Sequence, residues 1–100
     1  MTEEELAAAV ALICGKTVKF ACSVRTKKGK ATSTWMLYRK NDWAVSGGKP
    51  EWAKHPERMV TGPSKAAAWA QMEVEAIEWA DQIVDHAERV RKYWEARGII

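Results

Sequence analysis

The stretch from residue 65 to residue 97 constrains the fold more than any other part of the chain, because it contains neither glycine nor proline. Ser64 precedes it and can cap a helix, since its hydroxyl can accept a hydrogen bond from a backbone N–H of the first turn. Apolar residues recur at steps of three and four, which places them on one helix face. These residues are Trp69, Met72, Ala76, Trp79, Ala80, Ile83, Ala87, Val90 and Trp94. We therefore predict one long amphipathic helix over residues 64–97.

This predicted helix is too long for the rest of a small domain to cover. It would span about 50 Å at roughly 1.5 Å per residue, whereas a compact domain of this size has a radius of gyration of about 13 Å. We expect the part from Trp69 to Ile83 to be sheltered, and Val90 and Trp94 to project. Because sharp kinks need a breaker, contact with a second copy or another protein is favoured over a helix that folds back. An alternative is that the first helix covers the distal half.

The first forty residues predict a short helix and a hairpin. Thr2 and Glu5 have capping-box spacing, and Gly15 can end the helix that they begin. Residues 17–25 then alternate between apolar and polar side chains, as in a half-buried strand. The segment "KKGK" supplies a turn into "ATSTWMLYRK", which is rich in threonine and aromatic residues. Residues 17–40 are therefore predicted to form an antiparallel hairpin.

Two further segments are candidate strands. Residues 43–47, "WAVSG", predict a short third strand, and residues 57–61, "ERMVT", are a candidate fourth strand at the edge. The predicted fold class is therefore α+β: an N-terminal helix, a three- or four-stranded antiparallel sheet and a long C-terminal helix. We expect residues 1–100 to form a single domain.

Composition limits the classes of function. Six tryptophans are many for 100 residues, so several should form the core and the rest are candidate interface anchors. The net charge of +3 is mild; it permits a nucleic-acid partner without arguing for one. The chain opens with no signal-peptide pattern and contains no apolar stretch of membrane-spanning length. We therefore expect a soluble, cytoplasmic protein that does not contact a membrane.

The sequence contains no recognisable catalytic or metal-binding motif. Cys14 and Cys22 are expected to be unrelated buried thiols, and neither they nor His55 and His86 have zinc-site spacing. Phosphate-binding glycine loops and nucleophile elbows are also missing. We therefore expect a protein that is not an enzyme and needs neither a metal nor another cofactor.

The positive features are a basic hairpin tip and the distal part of the long helix. A lysine-rich turn is usually a solubility feature, but this one could also contact phosphate or an acidic protein surface. The distal helix carries apolar residues that lack an obvious cover. The candidate partner-binding residues are Arg25, Lys27, Lys28, Lys30, Val90, Tyr93 and Trp94.

The order helix, three antiparallel strands, helix resembles the double-stranded RNA-binding domain. Residues 62–70, "GPSKAAAWA", are similar to the start of that family's last helix, where a Ser-Lys pair opens a basic cluster. Ser64 and Lys65 match this pair, whereas the two further lysines fall on Ala66 and Trp69. The resemblance implies binding to duplex RNA. The departure removes most of the implied phosphate contacts, and each lost contact weakens binding and lowers its salt dependence.

The chain also resembles, in style, the anti-CRISPR inhibitors, which are small phage proteins. The likeness lies in a single tryptophan-rich α+β domain without motifs, and no functional residue can be carried over from it. It implies a non-enzymatic protein that docks on a large nucleoprotein complex, such as a CRISPR effector complex, and obstructs nucleic-acid binding, sometimes as a homodimer. Many such inhibitors are acidic mimics of DNA, so a chain of charge +3 would act by occluding protein surfaces instead.

Three hypotheses follow. The leading one is a phage-type inhibitor that binds a large protein or nucleoprotein complex through the distal helix and the basic hairpin. The alternative is a nucleic-acid-binding domain of the double-stranded RNA-binding type, which would bind duplex RNA in a strongly salt-dependent way. The third is a structural or chaperone-like homodimer.

Overall fold

The computed structural model describes residues 1–41 and 52–98. In chain order, the elements are α1 (Glu3–Cys14), β1 (Val18–Lys27), β2 (Lys30–Arg39), β3 (Arg58–Gly62) and α2 (Lys65–Ala96). This arrangement confirms the predicted α+β fold. The strand predicted at residues 43–47 lies outside the described residues, as do Ile99 and Ile100.

Helix α1 is fixed at both ends by the residues that the sequence indicates. The Thr2 hydroxyl accepts a hydrogen bond from the backbone N–H of Glu5, and the Glu5 carboxylate accepts one from the backbone N–H of Thr2. Gly15 then ends the helix in the left-handed conformation at φ 71°, which glycine adopts without steric cost. Leu6 and Val10 are the buried residues of α1 and turn its apolar side toward the core.

The three described strands form one antiparallel sheet in the order β1-β2-β3. Lys28 and Gly29 both have positive φ angles and make the two-residue turn of the β1–β2 hairpin. The candidate edge strand at residues 57–61 is β3, which pairs with β2 at the sheet edge. Directly opposed residues share a face, and the pairing of Phe20 with Leu37 therefore sets the inner face of the sheet.

Helix α2 is continuous from Lys65 to Ala96, close to the predicted bounds. The Ser64 hydroxyl caps it by accepting a hydrogen bond from the backbone N–H of Ala67. The first turn lies close to the sheet edge, because a Cβ at Gly62 would lie 3.1 Å from the backbone nitrogen of Ala68. Glycine at position 62 therefore permits the close approach of α2 to β3.

Both helices pack on the inner face of the sheet. The buried apolar residues from the five elements are Leu6, Val10, Val18, Phe20, Trp35, Leu37, Val60, Ala68, Met72, Ala76, Trp79 and Ala80. The two helices run in the same direction: the N-terminal amine of Met1 lies 3.2 Å from the Glu73 carboxylate, whereas Cys14 lies beside Ile83. The protected part of α2 therefore ends where α1 ends.

Beyond that point α2 extends alone. The molecule measures 60 × 32 × 24 Å, with a radius of gyration of 16.7 Å, whereas a compact chain of this length has about 13 Å. Ile83 and Val84 are half-buried, and every residue from 85 to 98 is exposed. The helix neither breaks nor folds back, and α1 does not cover its distal half.

Candidate functional site

The exposed end of α2, residues 85–98, is called the projecting segment below. The apolar stripe that is buried at Met72 and Trp79 continues into it without a cover. Val90 is 39 % exposed, Tyr93 52 % and Trp94 41 %. A stripe of this kind on a projecting helix is typical of a surface that packs against another helix or a groove.

Charged residues flank this stripe and are paired along the helix. Arg89 forms an ion pair with Asp85 on one side, and Arg91 pairs with Glu95 at 3.0 Å on the other. Such exposed pairs contribute little stability, about 0.3–0.5 kcal/mol each. Their arrangement nevertheless gives an apolar centre with a polar rim, which is the usual anatomy of a protein interface.

The two aromatic residues of the projecting segment contact each other. The ring centroids of Tyr93 and Trp94 are 5.1 Å apart in an edge-to-face arrangement, and the Arg97 guanidinium lies 5.3 Å from the Tyr93 centroid. Aromatic and arginine side chains are enriched among residues that dominate binding energy. The end of the helix therefore presents a preformed group of anchor residues.

The basic hairpin tip lies at the opposite end of the molecule. Helix α2 begins directly after β3, whose last residue Gly62 pairs with Ser33 near the tip. The Trp35 indole N–H donates to the Lys65 carbonyl at 2.9 Å, so the first turn of α2 lies on this side. About 45 Å of helix, at roughly 1.5 Å per residue, separates it from the other end of α2. The candidate residues therefore form two separate surfaces.

The cations of the hairpin tip are unpaired within the part of the chain that the structure describes. Arg25, Lys27, Lys28 and Lys30 are all exposed, and no described acidic side chain forms an ion pair with them. Unpaired cations extend a positive potential into solvent and speed the association of an anionic partner.

A third cluster, which the sequence analysis missed, lies on the outer face of the sheet. The Lys19 ammonium is 4.7 Å from the ring centroid of Trp52 and 5.8 Å from that of Tyr38. Lys40 pairs with Trp52 in an isolated β-bridge, and its ammonium lies 5.8 Å from the same ring. Trp52 follows β2 by more than ten residues, so no local sequence pattern indicates this contact.

One sequence signal could have indicated this surface. Residues 15–41 contain no aspartate or glutamate, although basic residues are frequent there. The basic residues are Lys16, Lys19, Arg25, Lys27, Lys28, Lys30, Arg39 and Lys40. Because the whole chain has a charge of only +3, these eight charges mean that the other residues carry a net −5. The small net charge of the whole chain thus conceals a strongly basic hairpin on an otherwise acidic protein.

The tryptophan and cysteine side chains outside these surfaces have the following environments. A groove beside the start of α2 is lined by Trp35 and Trp69, but both indole N–H groups donate to backbone carbonyls. Cys14 and Cys22 are half-buried free thiols, not fully buried ones as expected. In residues 1–41 and 52–98, no group of three histidine, cysteine or acidic side chains is placed to hold a metal ion.

Comparisons of the chain with protein families, curated proteins and solved structures found no match. Neither helix in the described ranges combines the length and apolar character needed to span a lipid bilayer. The candidate functional surfaces are the projecting segment, the hairpin tip and the outer face of the sheet.

Proposed function

We propose that this protein is a non-enzymatic binding protein that docks on a large protein or nucleoprotein complex through the projecting segment. The observation that carries the proposal is that the apolar stripe of α2 continues past the end of its own domain. Val90 and Trp94 lie on the face that is buried at Met72 and Trp79, but they are 39 % and 41 % exposed. Solvent-exposed apolar residues of this size are stabilised when a partner covers them, by about 25 cal/mol per Å² of apolar surface.

The partner chemistry follows from the shape and composition of the segment. It is a single helix with an apolar centre and a paired, charged rim, so it fits an apolar groove with polar edges. Trp94 is the strongest anchor candidate, since tryptophan residues in desolvated pockets commonly contribute about 2 kcal/mol or more.

The finer proposal is that docking inhibits the partner. If the partner is a nucleoprotein complex in the bacterial cytoplasm, a 60 Å long molecule seated on it would occlude the adjacent surface. This role is supported only by the general likeness to phage-encoded inhibitors. We expect the purified protein to reduce nucleic-acid binding by such a complex, and a complex that still binds its nucleic acid fully would restrict the function to docking.

A second copy of the chain is the second candidate partner, favoured by the charge pattern of α2. The first half of the helix is acidic and the second half is mainly basic. The residues concerned are Glu73, Glu75, Glu78, Asp81 and Asp85, followed by Arg89, Arg91, Lys92 and Arg97. In an antiparallel pair, the basic half of one copy would lie beside acidic residues of the other. Ile83, Ala87, Val90 and Trp94 also have the alternating spacing at which two helices pack side by side.

Capture from a bacterial lysate tests the main proposal. The immobilised wild type should retain a defined protein partner, and Trp94→Asp should lose it, because burying an unpaired carboxylate is unfavourable. Leu12→Asp is the matched control, since Leu12 is an apolar residue that is 88 % exposed on α1 and does not belong to the projecting segment. If both variants retained the partner equally, the projecting segment would not be the docking surface.

Light scattering after size-exclusion chromatography tests the homodimer. A homodimer would have twice the single-chain mass of 11.3 kDa, and the Trp94→Asp variant should have the single-chain mass. A wild type that has the single-chain mass at high micromolar concentration would exclude the second copy as the partner.

Duplex RNA binding remains the alternative function, supported by the basic hairpin. One feature weighs against it. Trp69 occupies a position where the double-stranded RNA-binding family has a lysine, and here its ring packs 4.5 Å from that of Trp35 and 5.2 Å from that of Phe20. This position supports the core and makes no contribution to phosphate binding. Tight duplex RNA binding that weakens steeply with salt would favour this alternative.

A further inference from the structure

In residues 1–41 and 52–98, no helix covers the outer face of the sheet, and the charged strand residues on this face are cations. Each buried strand residue, such as Phe20 or Leu37, points toward the helices, and no outer-face residue of β1, β2 or β3 is buried. The outer face includes Lys19, Arg25, Thr34, Met36, Tyr38 and Met59, and it is called the open face below. Met59 is 61 % exposed. None of the three strands contains an acidic residue, and Glu57, just before β3, pairs with Arg39 at 3.6 Å, so the unpaired charges of the strands on this face favour anions.

The cations extend along the full length of the hairpin. Lys19 lies near the start of β1, and Lys27 and Lys30 lie opposite each other beside the turn. Eight residues separate Lys19 from Lys27, which corresponds to about 26 Å at roughly 3.3 Å per residue. A track of this length spans several phosphates of an extended nucleic-acid strand.

Aromatic rings lie beside this track. Tyr38 and Trp52 are half-buried, and the Lys19 ammonium contacts both rings. Unpaired bases stack on such rings whatever their sequence, while neighbouring lysines hold the phosphates. Met36 and Met59 are paired across β2 and β3 and add an apolar surface on which a base can lie.

Hydroxyl groups complete the set of contacts. The Thr34 and Thr61 hydroxyls lie 2.8 Å apart on the open face, where they can donate to or accept from the edge of a base.

We propose that the open face binds single-stranded nucleic acid, with phosphates on Lys19, Lys40 and the hairpin cations and bases on Tyr38 and Trp52. The two rings favour a single strand over a duplex, because paired bases are not free to stack on side chains.

This site lies on the outer face of the sheet, whereas the projecting segment belongs to the helix that packs on the inner face, so the two surfaces are separate. Loss of partner docking in Trp94→Asp should leave nucleic-acid binding unchanged. Conversely, loss of nucleic-acid binding leaves the docking proposal untouched, so failure of either proposal can be recognised separately.

Fluorescence anisotropy with a labelled single-stranded oligouridine and with a duplex RNA of equal length tests the site. Binding of the single strand should weaken about 50-fold between 50 and 200 mM salt if about four phosphates are contacted. Lys19→Glu with Lys40→Glu should weaken binding by about tenfold or more, and Tyr38→Leu should weaken it without changing the salt dependence. Lys92→Glu with Arg97→Glu is the control, because it makes the same change in net charge in the projecting segment, away from the open face.

Several results would overturn the proposal. The first is that the single strand does not bind at 50 mM salt, and the second is that the duplex binds as tightly as the single strand or more tightly. The third is that the two double variants lose the same amount of affinity. Photocrosslinking of wild type to an oligonucleotide that contains 4-thiouridine gives a readout that needs no variant. Crosslinks should map to residues 19–40 and to Trp52, and crosslinks confined to the helices would contradict the site.

Discussion

Glu5 links the local sequence of α1 to the stability of the fold through its hydrogen bonds with Thr2. The pKa of the Glu5 carboxyl lies below its ordinary value of 4.5. The main cause is the hydrogen bond from the backbone N–H of Thr2, and the second is the contact with the Thr2 hydroxyl. A lowered pKa in the folded state means that the ionised carboxylate favours folding. Its contribution is complete above pH 4.5 and is lost as the pH falls through the folded-state pKa.

Because the ionised Glu5 carboxylate favours folding, its removal in Glu5→Ala should lower the stability of the protein. Urea denaturation at pH 7 should find the variant less stable than wild type, because the capping box is broken. The difference should shrink as the pH falls through the folded-state pKa of Glu5, because the wild-type carboxyl is then protonated. Glu4→Ala is the control in the same turn, and it should show a smaller difference at pH 7. A difference that does not change as the pH falls through this pKa would contradict a role of the Glu5 charge.

Single residues also show where sequence patterns stop predicting burial. Val24 continues the apolar alternation of β1 and was expected to be buried with Val18, Phe20 and Cys22. It is 61 % exposed although Ser33, which pairs with it on β2, is only 5 % exposed, so at this level the central strand is covered and the edge strand β1 is not. Alternation assigns the face of the sheet correctly, but the extent of the covering helices depends on tertiary packing.

At the scale of elements, the helices were predictable and the sheet only in part. Thr2, Gly15 and Ser64 are local capping signals, so the bounds of α1 and α2 follow closely from the sequence. The edge strand β3 was only a candidate because five residues give a weak pattern. Its strand pairing depends on contacts with β2 that are distant along the chain.

The division of α2 into a packed and a projecting part predicts the effect of truncation. A chain that ends at Val84 keeps every buried residue, because Ala80 is the last of them. Its free energy of unfolding should stay within about 1 kcal/mol of wild type, since exposed helical pairs contribute only tenths of a kcal/mol. Urea denaturation followed by circular dichroism measures this difference. A truncated chain that fails to fold would show that the distal half belongs to the core.

At the scale of the whole molecule, charged and apolar residues are distributed unevenly. The hairpin is basic, the protected part of α2 is acidic, and the projecting segment carries apolar anchors flanked by paired charges. Both candidate groups, the apolar residues of the distal helix and the cations of the hairpin tip, are visible in the sequence. Their location at opposite ends of the molecule is not, because the direction of α2 relative to the hairpin is fixed by the packing of Ser64, Lys65 and Trp35.

Local sequence patterns also did not reveal the open face. Its aromatic residues, Tyr38 and Trp52, meet through the β-bridge between Lys40 and Trp52, which no local pattern encodes. The absence of acidic residues from positions 15–41 was visible in the sequence, but the small net charge of the whole chain concealed it. Charge is therefore more informative per segment than per chain.

The most direct test of the docking proposal is the affinity of the captured partner for Trp94→Asp. We predict a Kd at least about 30-fold weaker than for wild type, equivalent to about 2 kcal/mol at a buried anchor. The melting temperature of the variant should stay within about 3 °C of wild type, because Trp94 is outside the core. Leu12→Asp should bind within about twofold of wild type, since Leu12 is exposed on α1 and is not part of the projecting segment. An unchanged Kd for Trp94→Asp, or a sharply lower melting temperature, would contradict the account.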